Sequence, residues 1–375
     1  MTMRIAIAGG GLGGLTLARI LHRHGIGAVV YEREESRSAR PQGGLLDLHP
    51  ESGQRALDEA GLTGEFRSEA RPEGEEHRIL DPAGRTLVHH RPEPGSFAGR
   101  PEIDRRVLRD LLLDALPAGT VRWGHRLVAA TPRAGGGFGL TFEDGDGAGR
   151  DAGCDVLVGA DGARSVVRSL LTDAPLSHVA TLAELSIADA DRRHPDLADL
   201  VGPGNLWCIG VSRILAAQRL GDGGIRVGIS LPAGDRPIDA YRDKRALLEL
   251  FDGWNPRLTA LIEAGDGPPT LRGIEVMPTG TRWAHRPGLT LIGDAAHLMP
   301  PVGEGANQAM LDAAELGAAL AADPADPGAA IRAFEAAMFD RIEPIAEMSA
   351  RVQAMMLSPT AAEDIVRFFT PEPSQ

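Results

Sequence analysis

Lysine is almost missing from this chain, and cysteine is scarce. Lys244 is the only lysine, so arginine carries the positive charge, which we interpret as a coding bias and not as a binding signal. The net charge of −13 disfavours nucleic acid and anionic membranes as partners. Cys154 and Cys208 do not form a Cys-x-x-Cys pair, so we expect neither a redox dithiol nor a zinc site.

Long apolar runs are also missing. The sequence contains no stretch of 18 apolar residues, so we expect no membrane span. The first predicted strand begins at Arg4, which leaves no room for a signal peptide, and we expect a cytoplasmic protein. A chain of 375 residues exceeds one typical core and predicts two closely joined domains, as a monomer or weak homodimer.

The first 33 residues contain the elements that a dinucleotide site needs. Residues 4–8 predict a buried strand, residues 15–25 a helix and residues 28–31 a second strand. Residues 9–14, Gly-Gly-Gly-Leu-Gly-Gly, separate the first strand from the helix, and Glu32 follows the second strand. This order is typical of a Rossmann-type site. A glycine-rich turn without a ligand would not explain the acid at that distance, so we predict a bound dinucleotide.

The three motif glycines each have a separate expected task. Gly9 permits the tight turn, Gly11 lets a pyrophosphate approach the backbone, and Gly14 lets the helix pack closely on the strand. The helix N-terminus offers free N–H groups to the phosphates. Glu32 is placed to accept hydrogen bonds from ribose hydroxyls. The motif alone is compatible with NAD, NADP or FAD.

The rest of the chain predicts a first domain that is interrupted by a region of short strands. Gly61 and Asp104 are an expected helix end and an expected N-cap, Pro344 an expected bend, and the tail from Ser358 is expected to be loosely held. Predicted helices cover residues 52–60, 106–116, 163–171, 245–251, 256–264, 308–321 and 329–356. Predicted strands cover residues 121–131, 138–143, 155–162, 206–209, 214–220, 225–231 and 289–294.

Two later segments are typical of a ligand site. Gly293-Asp294 ends a buried strand, which places a carboxylate at the edge where open α/β sheets bind ligands. Residues 300–307, Pro-Pro-Val-Gly-Glu-Gly-Ala-Asn, then lead into a helix, whose free N–H groups can stabilise an anionic flavin ring. Read alone, the first could be a helix cap and the second a connector.

Taken in order, Gly9 to Gly14, Glu32-Arg33, Asp161-Gly162, Gly293-Asp294 and residues 300–307 resemble the group A, single-component FAD monooxygenases. Within that family the segments 43–49, 101–105 and 291–301 are most similar to the tetracycline-inactivating monooxygenases. The resemblance covers the whole chain. It implies an α/β fold with a Rossmann-like FAD-binding domain, an inserted β-sheet substrate domain and a long C-terminal helix.

The resemblance also implies domain limits, cofactors and site residues. The FAD-binding domain would cover residues 1–174 and 286–375, and the substrate domain residues 175–285. FAD would be resident, NADPH or NADH transient near Arg164, and Glu304 and Asp47 would lie near the flavin. The implied cofactor contacts are Gly9, Gly11, Leu12, Gly13, Gly14, Glu32, Arg33, Gly44, Leu45, Asp47, Arg105, Leu127, Asp161, Arg164, Gly293, Asp294, Pro301, Gly303, Gly305, Ala306 and Asn307.

The expected reaction uses NAD(P)H and O₂ to oxygenate a mid-sized polycyclic or polyketide-like molecule, in natural-product tailoring or antibiotic inactivation. Glu304 replaces the glutamine of the tetracycline-type enzymes, and no counterpart of their tetracycline-holding arginine is found, so we do not extend the resemblance to tetracycline. We expect substrate contacts from Trp207, Ile209, Val211, Gln218 and Arg226. The alternatives are a flavoprotein that catalyses a cyclisation without oxygenation and an NAD-dependent dehydrogenase without flavin.

Overall fold

The computed structural model describes residues 3–39, 43–93, 99–143, 150–234 and 237–369. Its strands are β1 (Ile5–Ala8), β2 (Ala28–Tyr31), β3 (Leu45–Asp47), β4 (His77–Leu80), β5 (Thr86–His90), β6 (Glu102–Asp104), β7 (Val121–Arg122), β8 (Arg126–Pro132), β9 (Phe138–Glu143), β10 (Arg150–Cys154), β11 (Val156–Gly159), β12 (Ser177–Ile187), β13 (Asn205–Gly210), β14 (Arg213–Arg219), β15 (Ile225–Pro232), β16 (Asp266–Val276) and β17 (Leu289–Leu291). Its α-helices are α1 (Leu12–Arg23), α2 (Arg55–Ala60), α3 (Thr63–Glu69), α4 (Arg105–Asp114), α5 (Ala190–Arg193), α6 (Pro195–Val201), α7 (Lys244–Glu249), α8 (Pro256–Glu263), α9 (Asp294–His297), α10 (Glu304–Ala322), α11 (Pro327–Met356) and α12 (Ala361–Phe369).

A parallel sheet of five strands, in the order β17-β11-β1-β2-β7, forms the first layer. β1 and β11 are buried at every position, as expected of strands that are covered on both faces. α1, α10 and α11 pack against this sheet in one apolar cluster, which also holds the buried Cys154. The carboxyl ends of the parallel strands therefore meet at one edge, as the sequence predicts.

A second, mixed sheet has the strand order β16-β12-β15-β14-β13-β4-β5. One face is apolar and packs against α6, α7 and α8, and this core contains Cys208. The alternation along β15, where every second residue from Ile225 is buried, fixes which side chains face the other way. That other face is turned toward the segment that contains β3.

The seven-stranded sheet is not built from residues 175–285 alone. β4 and β5, from residues 77–90, extend it because β4 pairs in parallel with β13. These residues lie before the predicted domain limit at 175, and periodicity within a segment does not reveal a distant pairing partner. The domain limits stay a prediction. The β4–β5 hairpin lies outside the predicted substrate domain but belongs to its sheet.

One local prediction was wrong, and the structure adds detail to two others. Residues 163–171 form no α-helix but a loop and a 3₁₀ turn at Arg168–Leu170, because the Asp161 carboxylate accepts hydrogen bonds from Ser165 Oγ and Val166 N–H. Asp104 occupies an N-cap position, yet its carboxylate accepts from Gly221 N–H of the second sheet region. The tail is not loose throughout, since α12 buries Ala361 and Ile365; residues 370–375 lie outside the described residues.

The predicted C-terminal helix is a single helix of 30 residues, α11, which runs through Pro344. Within the described residues, no helix is long and apolar enough to cross a membrane. The same part of the chain contains no group of three or more His, Cys, Asp or Glu side chains that could hold a metal ion.

Candidate flavin site and substrate face

The glycine turn after β1 is shaped by close backbone contacts. Gly9 adopts a φ of 108°, which side-chain-bearing residues rarely adopt, and its N–H donates to Tyr31 O at 2.8 Å. A Cβ at Gly14 would overlap the carbonyl oxygen of Gly9. A Cβ at Gly11, in contrast, would meet no atom of the described residues within 4 Å. The protein itself therefore requires Gly9 and Gly14, whereas Gly11 leaves open space at the start of α1.

Glu32 lies beside this turn and is 7% exposed. Its Oε2 accepts from Gly10 N–H at 2.6 Å and its Oε1 from Glu34 N–H at 3.0 Å. The acid therefore fixes the turn, and each oxygen keeps a further lone pair for a ribose hydroxyl. Arg33 is exposed beside it.

A buried ion pair behind the turn was not predicted from the sequence. Arg109 on α4 donates to Glu34 Oε2 at 3.0 Å and to Gly10 O at 3.2 Å. Both side chains are less than 8% exposed. In the sequence, Arg109 is one polar residue of an amphipathic helix, so no local signal distinguishes it from the solvent-facing arginines.

The loop at residues 300–307, here called the flavin loop, ends in the N-terminus of α10. Gly303 is the N-cap with a φ of 101°, and the helix starts at Glu304, four residues earlier than predicted. No side chain caps α10 or α1, so the first N–H groups of both helices are free for a ligand. The two helices are in contact, since a Cβ at Gly13 would lie 2.9 Å from Ala309 O.

Asp294 stands at the edge of the first sheet, at the start of α9. Its side chain is exposed and makes no hydrogen bond to any residue that the structure describes. Its Oδ1 would lie 3.8 Å from a Cβ built on Gly305 of the flavin loop. A carboxylate held near two uncapped helix starts is placed to accept hydrogen bonds from a ligand hydroxyl.

The side chain of Asn307 holds the flavin loop in place. Its Oδ1 accepts from His49 N–H at 2.9 Å and Gly53 N–H at 3.2 Å, and its Nδ2 donates to Asp47 O at 2.8 Å and Gly303 O at 3.2 Å. The side chain therefore fastens the flavin loop to the segment after β3. Its predicted contact with FAD stays a prediction.

His49 joins the two predicted acids near the flavin position, and sequence reasoning missed it. The ring is 3% exposed, with Nε2 3.0 Å from Asp47 Oδ2 and Nδ1 3.6 Å from Glu304 Oε1. Glu304 Oε2 also accepts from Gln308 Nε2 at 3.1 Å. The candidate residues Asp47 and Glu304 are thus brought together, and the only sequence signal for His49 was its position in the quoted segment 43–49.

A buried charge network supports the flavin loop from behind. Asp312 is fully buried and lies 2.6 Å from His297 Nε2 and 2.7 Å from an Arg341 amino group. Burial raises the pKa of Asp312, but the charge and hydrogen bond of His297, together with Arg341, outweigh it and lower the pKa. His297, for which a packing role was expected, is a buried member of this network.

Asp161 and Arg164 lie farther along the same edge. Asp161 holds the loop before the 3₁₀ turn through Ser165 and Val166, and burial raises its pKa against those hydrogen bonds. Arg164 is 83% exposed and pairs with Glu275 at 3.3 Å. Leu127 on β8 is half-buried against the core of the first sheet. The structure thus gives Asp161 and Leu127 local packing tasks, and their contact with FAD stays a prediction.

Four of the five predicted substrate residues lie on the face of the second sheet opposite α6, α7 and α8. α12 covers the β13 end of this face, where Ile209 is fully buried and Trp207 packs in the same apolar cluster. Trp207 and Ile209 alternate with core residues on β13, and Gln218 and Arg226 are paired neighbours on β14 and β15. Val211 instead lies in the hairpin turn and is 63% exposed. Val211 therefore does not share the sheet face on which the other four residues lie.

The Arg226 end of this face carries charges that the sequence did not reveal as a group. Arg226 and Arg272 both hydrogen-bond to Glu184. Burial, with Arg272 and Arg105 nearby, lowers the pKa of Arg226 to about 10. Arg226 Nη1 would lie 3.2 Å from a Cβ on Gly43, so the face approaches the segment before β3.

Glu102, on β6 beside Asp47, is a further residue that was missed. Its Oε1 accepts from Asn205 Nδ2 at 2.8 Å, and its Oε2 is buried without a partner among the described residues. Burial, and then the charge of Asp47, raise its pKa to about 8. With this pKa, Glu102 is protonated at neutral pH. It lies where the β3–β6 pair contacts β13 of the second sheet.

Together these features describe a flavoprotein-type groove. Two touching helix starts without side-chain caps suit an anionic cofactor, the open space at Gly11 suits a pyrophosphate, and the unbonded Asp294 suits a polyol. The donor set therefore fits FAD, which is long enough to need contacts both at the glycine turn and at the flavin loop.

Comparison with known proteins agrees with this geometry. The family described as "FAD binding domain" matches residues 2–213 and 266–327. The 3-amino-4-hydroxybenzoate 2-monooxygenase PtnB3 of Streptomyces platensis is 33% identical over 352 residues, which cover 91% of this chain and 85% of that protein. The chain belongs to this FAD-binding family, whose members include flavin monooxygenases. The predicted cofactor FAD and the predicted enzyme class are thereby confirmed.

Solved structures show the same fold. Klebsiella pneumoniae HpxO, complexed with FAD and uric acid, has a TM-score of 0.80 at 22% identity, and the match covers 99% of this chain and 93% of that one. The tetracycline destructase Tet(51) has a TM-score of 0.74 at 19% identity, with 98% and 95% covered. These likenesses confirm the predicted fold class.

Proposed function

We propose that this chain uses NADPH or NADH and O₂ to insert one oxygen atom into a mid-sized aromatic or polycyclic small molecule. The observation that carries the proposal is the contact between α1 and α10, whose N-termini follow the glycine turn and the flavin loop and have no side-chain cap among the described residues. A relative that is 33% identical is named as a 3-amino-4-hydroxybenzoate 2-monooxygenase, which supports an aromatic ring in the substrate.

FAD, when bound, would accept electrons from the nicotinamide and use them to activate O₂. In our proposal, Gly11 and the N-terminus of α1 hold the pyrophosphate, Glu32 the adenosine ribose and Asp294 the ribityl chain. The N–H groups of Glu304 to Ala306 stabilise negative charge on the reduced ring. Asp47, His49 and Glu304 fix the loop beside that ring.

The second sheet would cover the substrate and exclude water from the reacting atoms. Its face offers an aromatic side chain, Trp207, and a hydrogen-bonding end at Gln218 and Arg226. Arg226 stays protonated at neutral pH because its lowered pKa is still about 10. Arg164, which is exposed and paired with Glu275, is the proposed contact for the visiting pyridine nucleotide.

The test is oxygenation under labelled oxygen. Purified protein should be yellow and consume NADPH faster when substrate is present, and the product should gain one ¹⁸O atom from ¹⁸O₂. Unchanged product formation under anaerobic conditions without NADPH would favour the cyclisation alternative. A protein without flavin absorbance would favour the dehydrogenase.

A further inference from the structure

We propose that a cavity beside the flavin loop binds the hydrocarbon body of a neutral, polycyclic substrate that carries a carbonyl group. The cavity has a volume of about 360 Å³. Its walls are the 276–282 segment, the 296–300 segment, one face of α11 and the strand ends at Val179 and Pro232. The inference rests on the proposed function, because it assigns part of the substrate of that enzyme.

The position of the cavity links it to the flavin loop and separates it from the charged end of the sheet. Pro300 lines the cavity and is also the first residue of the flavin loop. Val179 is five residues from Glu184 on β12, a separation of about 17 Å along the strand. The hydrocarbon body in the cavity therefore lies beside the loop, and only another part of the substrate can reach Gln218 and Arg226 on the sheet face.

The cavity wall is mainly apolar and adaptable. Met277, Met299 and Met338 contribute to it together with Phe339 and Ile342. Methionine side chains are flexible and polarisable and adjust to irregular apolar ligands, including aromatic rings. A cavity of this size with few polar groups has the usual character of a small-molecule site.

The charges at the cavity favour a neutral occupant. Arg282 lines it, but this guanidinium is paired with Glu343 at 2.9 Å and with Asp340 at 3.0 Å. His297 also lines it and is held by Asp312. Arg282 and His297 are thus already paired with carboxylates. A carboxylate substrate or the phosphates of NADPH would therefore find no unpaired positive charge here.

Three polar groups in the wall have no hydrogen-bond partner among the described residues: the side chains of Gln353 and Thr279, and Nδ1 of His297. Gln353 is half-buried, and its side chain makes no hydrogen bond to any residue within the described ranges. An amide N–H at that position can donate to a ligand carbonyl. The hydroxyl of Thr281, in contrast, already donates to Pro278 O at 2.6 Å. Gln353 therefore points to a ligand with a hydrogen-bond acceptor on an otherwise apolar body.

The test uses the FAD-loaded protein and the neutral polycyclic dye Nile red, which carries a carbonyl and fluoresces in apolar surroundings. We expect saturable fluorescence that is displaced by flavone, a neutral ketone, and not by salicylate, a carboxylate. Ala350→Phe and Ala346→Phe would fill the cavity from α11 and should weaken Nile red binding at least 10-fold. Gln353→Leu should weaken it about 5- to 10-fold, as expected for one neutral hydrogen bond.

Ala337→Phe is the matched control, because Ala337 is exposed on α11 and does not line the cavity. FAD absorbance and melting temperature are measured in each variant to establish folding. Unchanged Nile red affinity in both filled variants, or displacement by salicylate as readily as by flavone, would overturn the assignment. Dye binding does not depend on turnover, so a protein that binds Nile red in the cavity but incorporates no ¹⁸O would count against the proposed function and not against the cavity.

Discussion

The FAD groove and the second sheet's face opposite α6, α7 and α8 are built in different ways. The groove consists largely of backbone: glycines, two helix starts and a few acids at strand ends. The sheet face consists of side chains, with an ion-paired group around Glu184 and a ring at Trp207. A site made of backbone is constrained by the fold and recurs among relatives, whereas a site made of side chains can change its ligand without changing the fold.

The largest expected effect separates two glycines of the same turn. Gly14→Ala would force a Cβ against Gly9 O, and we expect the melting temperature to fall by about 5 °C or more together with FAD loss. Gly11→Ala meets no described atom, so the apoprotein should melt within about 1 °C of the parent while FAD affinity falls at least about tenfold. Calorimetry of the apoproteins and FAD titration measure both. Equal stability losses in the two variants would contradict the assignment of Gly11 to the ligand.

Asp294→Ala should remove a ligand contact without harming the fold. The side chain is exposed and unbonded to described residues, so the apoprotein should keep its melting temperature. FAD affinity should fall about 10- to 100-fold, as expected when a charged hydrogen-bond acceptor is lost. Asp294→Asn is the matched variant and should retain part of the affinity. A fully flavinated Asp294→Ala protein would remove this residue from the site.

Glu102→Gln tests the junction between the two regions through pH. The folded pKa of Glu102 is raised to about 8, so the folded protein holds a proton that the unfolded chain releases near pH 4.5. Stability should therefore decrease as pH rises from about 4.5 to 8, and Glu102→Gln should remove this part of the decrease. We expect the variant to be more stable than the parent at pH 8.5 by about 1–3 kcal/mol and similar at pH 4.5. Denaturation curves at the two pH values decide; an equal difference at both would refute the raised pKa.

Glu304→Gln is expected to have the smallest effect. It removes one charge beside His49 and the flavin loop and keeps a side chain that can bond to Gln308. FAD should stay bound, while the ratio of product to NADPH consumed should change about 2- to 5-fold because a charge near the ring has been removed. Glu51→Gln is the control, since Glu51 faces the same histidine at 3.9 Å but is 68% exposed. The same ratio in the parent and in Glu304→Gln would show that Glu304 has no part in coupling.

The residues that local pattern revealed belong almost entirely to the groove. Gly9, Glu32 and Asp294 could be found because strand, turn and helix are continuous in sequence there. Local pattern could not reveal the roles of His49, Arg109 and Glu102. Each of these side chains contacts a side chain that lies more than 50 residues away in the sequence. The wrong helix prediction at 163–171 has the same cause. Helical periodicity does not reveal that the Asp161 carboxylate accepts hydrogen bonds from the N–H groups of Val166 and Val167.

By itself, the sequence determined the Rossmann-type order, the motifs that indicate FAD and the short strands between residues 206 and 231, since these depend on residues that are neighbours along the chain. The tertiary structure alone decided that residues 77–90 join that sheet, that Asn307 fastens the flavin loop to β3, and that α11 encloses an apolar cavity beside Pro300. Strand pairing, buried hydrogen bonds and cavities form between distant segments, so their energies are set by packing and not by local propensity.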